Sequence, residues 1–213
     1  MEDLYSPQSA RRLLKRYNIS PKKKLGQNFL TDIGVSEKIA DAAELCREDL
    51  AVEIGPGLGA LTRVLAERAG QVLAVELDRS IVPVLEGSVA DFSNVEIAIG
   101  DILRINLPEK IEEKNAERER ALGKPFKAVK IFGNLPYYIT TPIIMSLLED
   151  GVPASVMTFM VQKEVAERIS SPPGSRVYGA ISPAVQYRCE VEYVCTVPPE
   201  VFVPVPAVDS AII

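Results

Sequence analysis

Asn134-Leu135-Pro136-Tyr137 puts an amide, a fixed backbone turn and an aromatic face within four residues, directly after the apolar run Ala128-Val129-Lys130-Ile131-Phe132-Gly133. Such a set can grip a flat base by its exocyclic amine. The Asn side-chain carbonyl accepts from the amine, Pro fixes φ and holds the carbonyl before it, and Tyr stacks. The same residue types also make an ordinary strand-to-helix turn. Alone, the tetrapeptide leaves both readings open.

A second segment upstream shifts the balance. In Ala51-Val52-Glu53-Ile54-Gly55-Pro56-Gly57-Leu58-Gly59-Ala60-Leu61-Thr62, a short apolar run enters three glycines at alternate positions and leaves on a helical pattern of Leu61, Val64, Leu65 and Arg68. Backbone can therefore approach a ligand at a helix start. The spacing lacks the Gly-Lys-Ser/Thr ending of phosphate loops and is G-x-G-x-G, not the dinucleotide G-x-G-x-x-G. Glu53 on the same strand also disfavours a phosphate there. The next apolar strand, Gln71 to Asp78, ends in an acid about 20 residues beyond the glycines, where nucleotide folds hold a ribose-binding carboxylate. Val95-Glu96-Ile97-Ala98-Ile99 then ends at Gly100-Asp101. A single such acid is commonly a solvated loop residue or helix cap. Three at equivalent strand ends would line one crevice.

The elements that must position these residues alternate. Helical patterns fall at about 7–17, 33–45, 59–68, 79–86, 140–149, 162–169 and 179–187, and strands near 50–54, 71–76, 95–99, 128–132, 155–161, 189–197 and 207–213. This predicts a doubly wound α/β sheet. The last two apolar runs flank the Pro-rich segment 198–206 with no helix between them, so a terminal antiparallel hairpin is expected. Residues 108–124, nearly all charged with alternating sign, read as a solvated helix or mobile linker at a sheet edge and are assigned no chemistry.

Composition sets outer limits. With 213 residues, 47% hydrophobic and 25% charged, the chain can bury one sizeable core. The absence of histidine removes His-dependent bases, nucleophiles and the usual His-containing metal sites. Cys46, Cys189 and Cys195 lack metal-ligand spacing and read as buried thiols. No apolar stretch approaches a membrane span, and Met1-Glu2-Asp3-Leu4 lacks the order of a signal peptide, so a cytoplasmic, metal-free monomer is expected. Net charge is −5, but Arg11, Arg12, Lys15, Arg16, Lys22, Lys23 and Lys24 make the first 24 residues about +5 and the remainder about −10. A basic arm on an acidic body suits a phosphate-contacting segment, or else a solvated terminal helix.

In order along the chain, Lys24 to Leu30, the glycine loop, Glu76, Gly100-Asp101, Asn134 to Ile144, Val161 to Ala166, and Val201 to Ser210 resemble the KsgA-type rRNA adenine dimethyltransferases. The resemblance covers nearly the whole chain. It implies a methyltransferase fold with S-adenosylmethionine as cofactor, Glu76 at the ribose hydroxyls, Asp101 at the cofactor's adenine amine, and Gly55 and Gly57 allowing close approach. Asn28 and Leu30 would close over the methionine end, with Asn134 also beside the cofactor. It further implies that the amine of a flipped adenosine meets the Asn134 side-chain carbonyl and the Leu135 backbone carbonyl, with Tyr137 stacking on one face and Phe202 on the other. Gln162, Glu164 and Arg168 either support that wall or belong to a helix surface.

The substrate so implied is a pair of adjacent adenosines in a small-subunit rRNA hairpin of the immature 30S particle. Residues 1–213 would be the catalytic domain, with 1–30 as basic arm and cofactor lid and without the family's C-terminal helical RNA-docking domain. Cofactor binding with poor ribosomal methylation is then expected. Three alternatives stay open: a large-subunit rRNA enzyme of antibiotic resistance, a non-catalytic ribosome assembly factor, and a DNA adenine methyltransferase. The last usually shows Pro where Leu135 stands.

Overall fold

The computed structural model describes residues 4–213. Met1, Glu2 and Asp3, which enter the charge of the arm and the reading against a signal peptide, lie outside the described residues. The order along the chain is α1 (Pro7–Arg16), β1 (Phe29–Leu30), α2 (Ile33–Ala42), β2 (Leu50–Ile54), α3 (Ala60–Arg68), β3 (Gln71–Glu76), α4 (Val82–Val89), β4 (Val95–Ile99) and α5 (Leu107–Leu122). It continues with β5 (Val129–Asn134), α6 (Thr140–Glu149), β6 (Val156–Gln162), α7 (Lys163–Ser170), α8 (Ile181–Gln186), β7 (Cys195–Val197), β8 (Phe202–Val203) and β9 (Ser210–Ile212).

Seven strands form one sheet in the order β4-β3-β2-β5-β6-β9-β7. β4, β3, β2, β5 and β6 are parallel, and β9 runs antiparallel to both β6 and β7. The Val, Ile, Leu and Ala of β2 are buried along its whole length because helices cover both faces. On one face α5, α6, α7 and α8 bring Ile111, Ile143, Ile169 and Val185 against Val52 and Ile131. On the other, α2 and α3 bring Ile39 and Leu65 against Ala51, Val72 and Phe132. The chain winds from β2 outward to β4, then returns to β5 on the opposite side, so a crevice opens at the carboxyl ends of β2 and β5.

A smaller cluster holds the N-terminal arm: Leu13 and Leu14 of α1 pack with Phe29, Leu58, Ile81 and Val203. The α1 start is set by Ser6, whose Oγ accepts from Ser9 N at 3.2 Å, and by Pro7 in the first turn. Lys15 and Arg16 stand in its last turn, and Arg11, Arg12, Lys15 and Arg16 all face out.

Three regions differ from the sequence reading. The charged stretch is an ordered 16-residue helix, α5, capped by Asn106 and ended by Gly123 at φ 75°. Leu107 and Ile111 are its apolar anchors, while Lys114 bridges Glu117 at 2.7 Å and Glu96 of the edge strand β4 at 2.6 Å. The terminal strands are shorter than expected, with ladders over Cys195–Val197 and Ser210–Ile212 only. β1 and β8, two residues each, are too short for any periodic signal; they pair Phe29 with Val203 and Leu30 with Phe202.

Candidate active site

The crevice at the strand ends is a cleft of about 1020 Å³ counting its open mouth. The lid segment Leu25–Leu30, the glycine loop, Glu76, Asp101 and the Asn134–Ile139 turn all line it. Nine of the ten residues expected to act on ligand or substrate therefore meet in one place: Asn28, Leu30, Gly55, Gly57, Glu76, Asp101, Asn134, Leu135 and Tyr137.

The glycine loop turns back on itself with φ of 69° at Gly55 and 57° at Gly57, a region side chains rarely enter. A Cβ on Gly57 would stand 3.0 Å from the Phe29 ring, so the lid rests directly on the loop. A Cβ on Gly55 would meet nothing within 4 Å, which leaves that stretch of backbone open to a ligand.

Carboxylates dominate the electrostatics. Glu76, 6% exposed, accepts from Gly57 N at 3.2 Å through Oε2 and from Asp78 N at 2.7 Å through Oε1. Burial raises its pKa, opposed by those backbone N–H groups. Asp101 accepts from Leu103 N at 3.1 Å and lies 3.5 Å from the Arg104 guanidinium. Glu53 is the most deeply set. Burial pushes it up to about 8, with the Glu76 charge adding to the rise. Its Oε2 is buried with no hydrogen-bond partner, as is Thr62 Oγ1. A cleft of this kind receives the hydroxyl and amine donors of a nucleoside.

At the opposite wall, Asn134 Nδ2 donates to the backbone carbonyl of Asn28 at 2.8 Å. This fixes the donor end of the amide on the lid and leaves Oδ1 as the acceptor a ligand amine can use. Leu135 N donates to Met160 O at 3.0 Å, and the Leu135 side chain is buried. Gly133 is needed beside it, because a Cβ there would come within 2.8 Å of Leu135 Cδ2. Thr140 Oγ1 donates to Pro136 O at 3.0 Å and holds the turn against the start of α6. Tyr137 Oη and Ser210 Oγ share a hydrogen bond of 2.8 Å that ties the turn to β9. Burial raises the Tyr137 pKa while the Ser210 bond lowers it. Tyr137→Phe is expected to cost about 1–2 kcal/mol in urea unfolding, since Ser210 is fully buried and loses its partner, while the ring stays available for stacking.

Phe202 corrects an expectation. The β1–β8 pairing sends alternate side chains to opposite sides: Phe29 and Val203 join the α1 cluster, Leu30 and Phe202 the α2–α3 cluster. Phe202 is wholly buried and does not line the cleft, so it offers no face to a base. The aromatic with an open face is Tyr138, 53% exposed, whose ring lies over Gly26. Its place after Tyr137 gave no separate signal in the sequence. Gln162, Glu164 and Arg168 also stay out of the cleft; Arg168 pairs with Glu164 at 2.5 Å along the surface of α7.

Asp78, the acid that ends the run from Gln71, takes a part that spacing alone does not reveal. Two positions past Glu76, it turns away from the cleft and binds the lid: Oδ1 accepts from Lys22 Nζ at 2.5 Å and Oδ2 from Gln27 Nε2 at 2.9 Å. Burial alone would raise its pKa, but the hydrogen bonds from Lys22, Ser80 and Gln27 outweigh this and hold it at about 2. Lys22 of the basic arm thus has an internal counter-charge. Among the described residues no group of three or more His, Cys, Asp or Glu is arranged to hold a metal, and no helix is long and apolar enough to cross a membrane.

Comparison with known proteins agrees with this geometry. The family model described as ribosomal RNA adenine dimethylase matches residues 18–213. Among curated relatives, the ribosomal RNA small subunit methyltransferase A of Alkaliphilus metalliredigens is 44% identical over the whole chain, which spans 71% of that protein. The protein of the same name from Latilactobacillus sakei is 46% identical, with 69% of its length spanned. Of solved structures, a dimethyladenosine transferase from Plasmodium falciparum superposes with a TM-score of 0.71 at 28% identity, covering 86% of this chain and 61% of that one. The 23S rRNA methyltransferase ErmE gives 0.70 at 30% identity, covering 87% and 68%. The sheet is the Rossmann-like sheet of S-adenosylmethionine-dependent methyltransferases. With a family match over almost its full length and relatives above 40% identity, the chain belongs to the ribosomal RNA adenine dimethylase family.

Proposed function

We propose that this protein transfers methyl groups from S-adenosylmethionine to the exocyclic amines of two adjacent adenosines in a small-subunit rRNA hairpin of the immature 30S particle. The observation that carries the reading is Asn134: its amide is anchored on the lid by Nδ2, with Oδ1 left as acceptor, in the same cleft as the glycine loop and Glu76. The relatives named for small-subunit rRNA at 43–47% identity favour that substrate over the 23S rRNA of ErmE at 30%. Residues 1–213 act as the methyltransferase catalytic domain, with 1–30 as basic arm and lid, in the cytoplasm and as a monomer.

The cleft suits the cofactor on two counts. Glu53 Oε2 is a buried acceptor without a partner, and open space stands at Gly55 where a side chain would otherwise intrude. Glu76 would hold the ribose hydroxyls, Asp101 the adenine amine, and Asn28 and Leu30 would cover the methionine end. When bound, the cofactor supplies a methyl already activated by its sulfonium. The protein's part is then to position the acceptor and exclude water. Asn134 Oδ1 and the Leu135 carbonyl take the two amine protons in hydrogen bonds, which makes the nitrogen more pyramidal and nucleophilic. Tyr137 stacks on the base. Each transfer would form the N–CH3 bond as the S–CH3 bond breaks, releasing S-adenosylhomocysteine and one amine proton to solvent; one N–H then remains, so one of the two hydrogen bonds is kept for a second transfer.

The test is transfer of labelled methyl groups to undermodified 30S subunits, 50S precursors and duplex DNA. Label is expected in 30S rRNA, at a low level for residues 1–213 alone. Label confined to 50S precursors would move the substrate to the large subunit, and 30S binding without methylation would point to an assembly factor.

A further inference from the structure

Asp78 is buried, does not line the cleft, and accepts four hydrogen bonds from three side chains and one backbone amide. Two of those donors come from the N-terminal arm, more than fifty residues away in sequence. Lys22 reaches Oδ1 at 2.5 Å and Ser80 Oγ at 2.8 Å; Gln27 reaches Oδ2 at 2.9 Å. Gln27 also uses the other end of its amide, Oε1 accepting from Lys22 N at 2.8 Å. Residues 22–27 are thereby closed into a ring, with the 3-10 turn Lys23–Leu25 and Gly26 at φ 59° inside it. The lid proper, Leu25–Leu30, begins within this ring and forms one wall of the cleft.

The other side of Asp78 is fixed to the opposite wall. Its backbone N–H donates to Glu76 Oε1 at 2.7 Å, so a two-residue step at the end of β3 points one carboxylate at the cleft and the next at the lid. At its far end the lid is held again, by Asn134 Nδ2 on the Asn28 carbonyl. At the near end the tie is a charge-assisted bond from the half-exposed Lys22 to an Asp78 side chain only 4% exposed.

We infer that Asp78 is a positioning residue, a latch that holds the segment Lys22–Leu30 closed over the cofactor cleft. Cofactor affinity then depends on Asp78 and Lys22 although neither lines the cleft. This rests on the cofactor reading above. Releasing the latch leaves the walls intact but lowers the fraction of molecules with the lid in place, and apparent affinity falls by that fraction.

The latch predicts two separable results. Lys22, Lys23 and Lys24 are tryptic sites inside the ring. Brief trypsin digestion of the ligand-free protein should cut there several-fold faster in Asp78→Asn than in the parent, while the melting temperature of the whole molecule moves little. Calorimetric titration with S-adenosylhomocysteine should show affinity weakened about tenfold, the value for a lid closed in roughly a tenth of molecules, and Lys22→Arg should retain parental affinity. Cleavage at the parental rate together with affinity within about twofold would overturn the proposal. Should Asp78→Asn fail to fold, Lys22→Met removes the ion pair and the Ser80 bond while leaving Asp78 in place, and unchanged affinity there would overturn it equally. Failure of the parent protein to bind S-adenosylhomocysteine would sink the cofactor reading, and the cleavage rates would still decide the latch.

Discussion

Replacing Glu53 with glutamine is expected to flatten the dependence of stability on pH and to stabilise the protein most in mild alkali. The carboxyl is 1% exposed, and burial lifts its folded pKa to about 8 from an ordinary 4.5. For an acid whose folded pKa is raised, the native state keeps a proton that the unfolded chain has released throughout the interval between the two values. Stability therefore falls as pH rises from about 4.5 to about 8, then levels. At 1.36 kcal/mol per pH unit, the full interval corresponds to an upper value of about 5 kcal/mol, a large share of the roughly 5–15 kcal/mol that holds a domain folded. Glutamine has no charge to bury. Urea unfolding at pH 5, 6.5 and 8.5 should show the variant close to the parent at the lowest pH and well above it at the highest. Parallel profiles would mean that Glu53 does not titrate as described. A carboxyl kept at such a disadvantage in a cleft wall is the sort of local cost that ligand sites carry.

Asn134→Ala should reduce single-turnover methyl transfer to undermodified 30S subunits by about 10²–10³, or about 2.7–4 kcal/mol, the range for losing one preorganised polar contact at a reacting group. Two effects combine. Oδ1 no longer receives the amine, so the nitrogen loses its orientation toward the methyl donor. The Asn28 carbonyl also loses its donor at 2.8 Å, which loosens the lid. Asn134→Asp separates them, because it keeps an acceptor but places a carboxylate against the Asn28 carbonyl; it should bind cofactor less well than Asn134→Ala relative to its residual transfer. Circular dichroism checks that both variants fold. Transfer by Asn134→Ala within threefold of the parent would exclude Asn134 from the chemistry.

The strands that build the cleft were legible because each is a short, largely apolar run buried on both faces, as in β2, β3 and β5. Nine of the ten expected residues also meet, since each sits at a strand's carboxyl end, next to one, or on the lid. Whether each takes its assigned role is for the variants above to decide. The reading failed where the deciding partner is remote. Phe202 was placed at a base, yet its surroundings are set by pairing with Leu30, which no local pattern reveals. The start of α4 was placed at 79 but falls at Val82, because Asp78 accepts from Ser80 N and Ile81 N donates to Asp78 O, which closes a turn first. The 108–124 stretch has its helix propensity in plain view, but its anchoring through Lys114 to Glu96 is a tertiary fact.

The pairing of β1 with β8 also fixes when the lid can close during synthesis. Thr31 binds the Val201 carbonyl through both its backbone N–H and its hydroxyl, across 170 residues of chain. Translation makes the lid well before the strand that receives it. The glycine loop, β3 and the Asn134 turn all emerge in between and can assemble beforehand. A nascent chain therefore holds an open, incomplete cleft until residues 201–203 have left the ribosome, and closing so long a loop is among the slowest contacts a chain of this size makes. Cofactor capture is thereby deferred until that strand has emerged, when the five parallel strands that must bear the lid are already made.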